Sequence, residues 1–213
     1  MSANPPLRVG HVPGVTLTRW RRRWDERHPD APLRVTEVAE AGQRAALDGD
    51  DVDVCFVRLP LPADDLHLVL LYTEEPVVVV PRDHPASLFE SVTLADLADE
   101  TLLDTADLPA DPFDLVAGGA GLLLVPQSVA RSRSRRDLVH RPVRDGEPTQ
   151  VGLAWRRDRE HPDTQDFVGV VRGRTGNSSR GTPAPAPVRK TSTPRPTPTP
   201  TPGRRPARRR GRR

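Results

Sequence analysis

Leu47–Pro60, LDGDDVDVCFVRLP, is the stretch whose reading decides the fold. Gly49 is a helix stop. Asp50 and Asp51 make a polar turn, and Val52 to Val57 form a short apolar run rich in β-branched residues. Such a run is the mark of a strand buried on both faces. Pro60 cannot continue a central strand, so the chain leaves the sheet after Arg58 and Leu59. In open α/β sheets, ligands gather beyond the carboxyl ends of strands, and Arg58 stands at such an end. Two readings of this stretch stay open: Asp53 and Arg58 as a turn cap and a solvated charge, or Arg58 as a ligand contact.

Working outward, the preceding sequence supplies the neighbours of this strand. Leu7 to Gly10 reads as a first strand, and His11 to Gly14 as a loop. Thr16 or Thr18 then caps a helix that carries Leu17, Trp20 and Trp24 on one stripe. The mixture RWRRRW resembles a membrane or nucleic-acid binder, but an amphipathic helix with a solvated arginine face explains it more simply. Pro29 and Pro32 close the helix, Leu33 to Val38 is a second strand, and Glu40 to Leu47 a second helix. The order βαβαβ predicts a parallel sheet. Further strands are expected at Leu66–Tyr72, Pro76–Pro81, Glu100–Asp104, Leu122–Val125, Leu138–Val143 and Val151–Trp155. Short helices are expected at Thr93–Leu97 and Gln127–Ser132, and a closing helix at Asp163–Arg172. Between Leu103 and Val116 there is barely room for a crossover helix.

Charge divides the chain. Residues 1–176 hold 21 of the 32 basic and all 29 acidic residues, a net −8, while residues 177–213 hold the other 11 basic residues and no acid. The 213-residue chain's calculated pI of 9.9 therefore belongs to the tail. Nine prolines between 183 and 206 and the ending RRPARRRGRR predict an extended, disordered segment. A single cysteine rules out an internal disulfide and fits a reducing compartment. With no apolar run of spanning length and no signal-peptide core at Met1–Gly10, the expectation is a cytoplasmic protein without membrane contact.

The motifs that would carry catalysis fail one by one. Gly118-Gly119-Ala120-Gly121 precedes a strand and lacks a GK[ST] ending, so it reads as a helix terminus, not a phosphate loop. His-Pro-Asp at 28–30 and 161–163 reads as a boundary turn in both places, and Asp51-Val52-Asp53 is too short to signal a sugar-nucleotide site. Six histidines and one cysteine show no ligand spacing, so no metal and no cofactor are expected. Cys55, mid-strand among apolar residues, is inert core. No catalytic residue is assigned, and no enzyme activity is expected.

Several stretches in order carry a family resemblance. They are LRVG with VPG at 7–14, GDDVDVCFVRLP at 49–60, EEPVVVVPRDHPAS at 74–87, VTLADLADETLL at 92–103, VAGGAGLLLVPQSVAR at 116–131, and VGLAW at 151–155 with FVGVVRGRT at 167–175. Together they resemble the effector-binding, or substrate-binding, domain of LysR-type transcriptional regulators. The resemblance implies an α/β fold of two Rossmann-like lobes, similar to type 2 periplasmic binding proteins. Residues 1–176 would form this domain, with lobe one at about 7–77 and 150–175 and lobe two at about 78–149. The basic Pro/Arg-rich tail would be 177–213.

In the family a small effector, often aromatic or carboxylated, occupies the cleft between lobes. Residue by residue, this points to Val12, Pro13 and Thr16 after the first strand, and to Gln43 at the second helix. It points also to Arg58, Leu59 and Pro60 at the strand end, and to Ser128. Helix N-termini and Arg58 suit a carboxylated metabolite. Two departures stand out: the family's winged helix-turn-helix does not precede residue 1, and the stretch near 104–115 is shorter than the family's. The resemblance implies a homodimer, with Trp20 or Trp24 near the interface. The alternative is a non-sensing protein that pairs with other regulators. The tail could bind nucleic acid non-specifically through Arg204, Arg205, Arg208, Arg209, Arg210, Arg212 and Arg213.

Overall fold

The computed structural model describes residues 5–104 and 111–173, within a compact unit, Met1–Gly176, that is separate from Asn177–Arg213. The tail arginines named above, and 105–110 of the short acidic stretch, lie outside the described residues.

Lobe one is built on five strands in the order β2-β1-β3-β8-β4. Strands β1 (Arg8–His11), β2 (Arg34–Glu37) and β3 (Val54–Arg58) run parallel, as the βαβαβ order predicts. The late strand β8 (Thr149–Arg156) inserts antiparallel between β3 and β4 (Leu66–Glu74). Every residue of β3 is buried, because the two faces are covered by different helices. Val54 and Phe56 pack with Trp24 of α1 (Thr18–Arg27) and Phe167 of α5 (Thr164–Val171). Cys55 and Val57 pack with Ala46 and Leu47 of α2 (Gln43–Asp48). That two-sided cover is why the sequence reads as an unbroken apolar run instead of alternating.

Local sequence sets most boundaries. Gly49 receives the end of α2, its N–H donating to Ala45 O. A short 3-10 turn, Glu40–Gly42, precedes α2, so the expected helix from Glu40 begins as a tighter coil. The threonine cap expected for α1 is absent: the helix starts at Thr18, and no side chain caps it. Trp24 is wholly buried, and its indole N–H donates to Ala31 O at 2.6 Å. It is core, which removes it from any subunit interface, whereas Trp20 is half-buried and stacks on Phe56 at 4.7 Å.

The chain crosses to lobe two at Glu75, so Pro76 and Val77 begin β5 (Pro76–Pro81) and do not extend lobe one. This sheet has three antiparallel strands, in the order β6-β5-β7, with β6 at Leu123–Pro126 and β7 at Leu138–Pro142. Val77 and Val79 face Phe113 and Val116, while Val78 and Val80 face Val92 and Leu97. The expected strand at Glu100–Asp104 is reduced to a single parallel bridge, Leu102 to Leu122.

A helix does fit in the short stretch. α3 (Pro112–Ala117) starts with Asp111 accepting from Phe113 N–H at 2.9 Å and with Pro112 in its first turn. Its end explains the glycines. Gly119 adopts φ +75, its N–H donates to Val116 O, and the Ala120 N–H reaches back to Leu115 O. This is a Schellman closure, which needs a residue tolerant of positive φ. α4 (Gln127–Ser132) follows β6 directly after Pro126.

Candidate functional site

The loops after β1 and β3, the turn before α2, and the N-terminal end of α4 meet around Arg58. Its side chain is 1% exposed, although it stands at the mouth of a strand. One guanidinium nitrogen, Nη1, donates to Glu40 Oε2 at 2.8 Å. The other, Nη2, donates to Glu74 Oε2 at 2.9 Å and to Pro13 O at 3.1 Å, with Ser128 Oγ at 3.5 Å. Nε is buried without a partner. Arg58 is therefore neither a solvated charge nor a free cation: two carboxylates already neutralise it. The acids differ in setting, Glu74 being 6% exposed and Glu40 53%. Burial of such a pair is costly unless the donors are satisfied; here both terminal nitrogens are bonded, and Nε alone is left without a partner.

The network joins the lobes. Glu74 closes β4 one residue before the crossover, and Ser128 belongs to lobe two. Gly14, at φ +88, makes the approach possible: a Cβ there would lie 2.4 Å from Ser128 Oγ. Beside this contact is a hollow of about 430 Å³, lined by Gly14, Thr16, Thr73, Glu74, Glu75, Gln127, Ser128, Arg131 and Ser132. Its size is ordinary for a small-molecule site, but its walls are mainly polar. Partial burial, then the Glu74 carboxylate, push the nearby Tyr72 hydroxyl up to about 12.

Of the residues picked from sequence, Pro13, Gln43, Arg58 and Ser128 come together in one hydrogen-bonded network. Gln43 is buried, and its amide donates to Arg58 O at 2.8 Å and accepts from Arg58 N–H at 2.9 Å. It ties α2 to the end of β3. Thr16 is exposed and lines the hollow. Val12 is wholly buried in the lobe-one core. Leu59 is half-buried, with its N–H on Gln150 O at 2.9 Å, and Pro60 is exposed. Asp53 is a clamp and not a turn cap, since its carboxylate holds the Arg8 side chain and backbone N–H.

Sequence reasoning missed Glu40, Glu74, Glu75 and Arg131. A carboxylate ending a long strand just before a proline was the only available signal for Glu74. Burial pushes the Cys55 thiol up to about 12, so it is an unreactive thiol, as its apolar neighbours suggest. Among the described residues, no group of three or more His, Cys, Asp or Glu is placed to hold a metal ion. None of their helices is long and apolar enough to cross a membrane.

Two open sheets, a double crossover and a polar hollow at the junction define the class: a two-lobed binding domain of the periplasmic-binding-protein type. The chain belongs to the LysR substrate binding domain family, whose model matches residues 2–109. Among solved structures it is similar to the BenM effector binding domain with its effector benzoate, at 24% identity and TM-score 0.66, covering 80% of this chain and 92% of that one. It is also similar to the reduced OxyR regulatory domain from Pseudomonas aeruginosa, at 21% identity and TM-score 0.63, covering 79% and 94%. Among curated relatives, the transcriptional regulator AlsR of Bacillus subtilis is 22% identical over 196 residues, 76% of this chain and 64% of AlsR. The small neutral protease regulatory protein of Streptomyces coelicolor is 39% identical over 101 residues, 44% of this chain and 30% of that protein. The chain thus spans about two thirds of AlsR and a smaller share of the Streptomyces regulator.

Proposed function

We propose that this chain is the small-molecule-sensing part of a LysR-type transcriptional regulator, binding an effector where the two lobes meet. The observation that carries the reading is the hollow lined from both lobes, by Gly14 and Thr16 of lobe one and Gln127 and Ser128 of lobe two. A ligand there touches both halves and so biases how they are held, which is how a binding event becomes a conformational signal. Fold and family support the reading. Thr16 and Ser128 would contact the effector, while Arg58 and Gln43 would hold the walls. The test is thermal melting of the chain against a metabolite panel. A ligand binding only the folded state at about 100 times its Kd adds about 2.7 kcal/mol. A panel that leaves the melting temperature unmoved would defeat the reading.

The second reading, a non-sensing interaction protein, draws on Arg58: its side chain fills the strand mouth and is already neutralised. In this version the internal network replaces the ligand. Pairing with a second copy would use the exposed side of α1, and sedimentation showing a monomer at high concentration would reject it. The +11 of residues 177–213 supports non-specific contact with nucleic-acid phosphates. Such binding should be steeply salt-dependent, with log K falling by about 0.9 per phosphate neutralised for each log unit of salt. Equal duplex binding by the full chain and by one ending at Gly176 would dismiss the tail.

A further inference from the structure

We propose that the ligand of the interlobe hollow is a zwitterion with the chemistry of a free α-amino acid, and not a simple carboxylate. The inference rests on the sensing reading and names its ligand class. The cation that the sequence offered to a carboxylate, Arg58, is taken by Glu40 and Glu74 at 2.8 and 2.9 Å. An anion approaching it would have to displace a buried carboxylate and face a second one.

The hollow offers two other charges. Glu75, at the crossover, and Arg131, on α4, both line it. Both are exposed, and neither side chain makes a hydrogen bond or ion pair with any described residue. They are also not paired with each other, although they bound the same 430 Å³ space. Two unpaired charges of opposite sign lining one hollow suit a ligand carrying both signs. A lone carboxylate at Arg131 would be repelled by Glu75 and by the neighbouring Glu74, and a lone ammonium at Glu75 would be repelled by Arg131. An amino acid satisfies both, its ammonium on Glu75 and its carboxylate on Arg131. Thr16 and Ser128 supply hydroxyls for the remaining donors and acceptors, and the volume leaves room for a side chain.

The experiment is calorimetric titration of the full chain with the twenty common L-amino acids. The best binder is then compared with its own amine, lacking the carboxylate, and its own acid, lacking the amine. Glu75→Gln and Arg131→Gln are titrated in parallel, and melting without ligand checks that both variants fold. The expected result is that the amino acid binds roughly tenfold or more tightly than either analogue, and that each variant loses a similar factor. If the acid binds as tightly as the amino acid and Glu75→Gln changes nothing, the zwitterion is wrong. It is equally wrong if no amino acid binds while another metabolite stabilises the chain, and in that case the sensing reading stands. If nothing in either set binds at millimolar concentration, both readings fall.

Discussion

Lobe one and lobe two solve the same problem with different means. In lobe one a ten-residue α1 and an eight-residue α5 cover a five-stranded sheet, and Trp24, Phe56 and Phe167 meet edge to face at 5.7 and 6.1 Å. In lobe two the helices α3 and α4 have six residues each, the sheet has three strands, and the apolar contacts come mostly from valine and leucine. Helices so short do not persist on propensity and bury little surface. Lobe two accordingly shows a side-chain cap at Asp111, a Schellman closure at Gly119, and ion pairs from Arg133 to Asp111 and from Arg135 to Asp114. α1, with its large buried tryptophan, has no side-chain cap at all. The tying is concentrated at α3, since α4 begins after Pro126 without a side-chain cap.

The largest effects test burial itself. Trp24→Ala removes the ring that joins α1 to the core and frees Ala31 O, and should cost about 3–5 kcal/mol. Phe113→Ala carries a comparable transfer cost, but its consequences should be local. Hydrogen exchange is expected to show faster opening of β5, β6 and β7, with β1, β3 and β8 still protected. Equal loss of protection in both lobes would show that they unfold as one unit and that the contrast is only geometric.

Next comes the junction. Arg58→Met leaves Glu74 buried without its partner, and urea unfolding should register a loss of roughly 3 kcal/mol. Arg58→Met combined with Glu74→Leu should recover most of it, because no buried lone charge remains and Glu40, 53% exposed, is solvated. A double variant as unstable as the single one would mean that Arg58 acts through Pro13 and Ser128, by holding the lobes together, and not through charge compensation.

Much of this was legible in the sequence, and the limits are physical. β3 could be read because an apolar run bounded by Gly49 and Pro60 has few other readings, and the βαβαβ order around it predicted parallel pairing, which β1, β2 and β3 show. The insertion of β8 beside β3 could not, since the short apolar run Val151–Trp155 does not declare its partners. The stripe of α1 identified Trp20 and Trp24 together, but periodicity cannot say which ring goes deeper. α3 was missed although Asp111-Pro112 is a cap followed by a first-turn proline; six residues are too few for a period to show. At the site, Arg58 was found from its place at a strand end. Its neutralisation was not, because Glu40 and Glu74 lie 18 and 16 residues away and only the folded topology brings them in.

A pH experiment sharpens the comparison within lobe one. Burial alone would raise the Asp53 carboxyl, but the Arg8 hydrogen bonds outweigh it and hold the group below its usual 3.8. For an acid depressed in the folded state, the added stability is present above the unfolded value and is lost as pH falls through the folded one. Asp53→Asn should therefore cost about 1–2 kcal/mol at neutral pH, a figure reduced for the 33% exposure of Arg8. The gap between variant and parent should close below about pH 4. A gap that stays constant into strong acid would assign the loss to packing and not to charge.

The smallest expected effect bears most directly on the claim that lobe two depends on its helix ends. The Asp111 carboxylate has two tasks, accepting from Phe113 N–H at 2.9 Å and pairing with Arg133 at 2.8 Å. The second is exposed at Arg133 and half-buried at Asp111, and such surface pairs are worth a few tenths of a kcal/mol. The first satisfies a donor that the helix cannot satisfy itself, and losing it costs about 1 kcal/mol. Asp111→Ala should therefore lower stability by about 1 kcal/mol, whereas Asp111→Asn, which keeps the acceptor oxygen and loses the charge, should stay close to the parent. Since α3 places Phe113 against β5, the alanine variant should open lobe two in hydrogen exchange well before it shifts the global melt. If asparagine is as damaging as alanine, the ion pair and not the cap holds α3. If neither change is felt in lobe two, its short helices stand on the valine core alone, and the contrast with lobe one loses its physical basis.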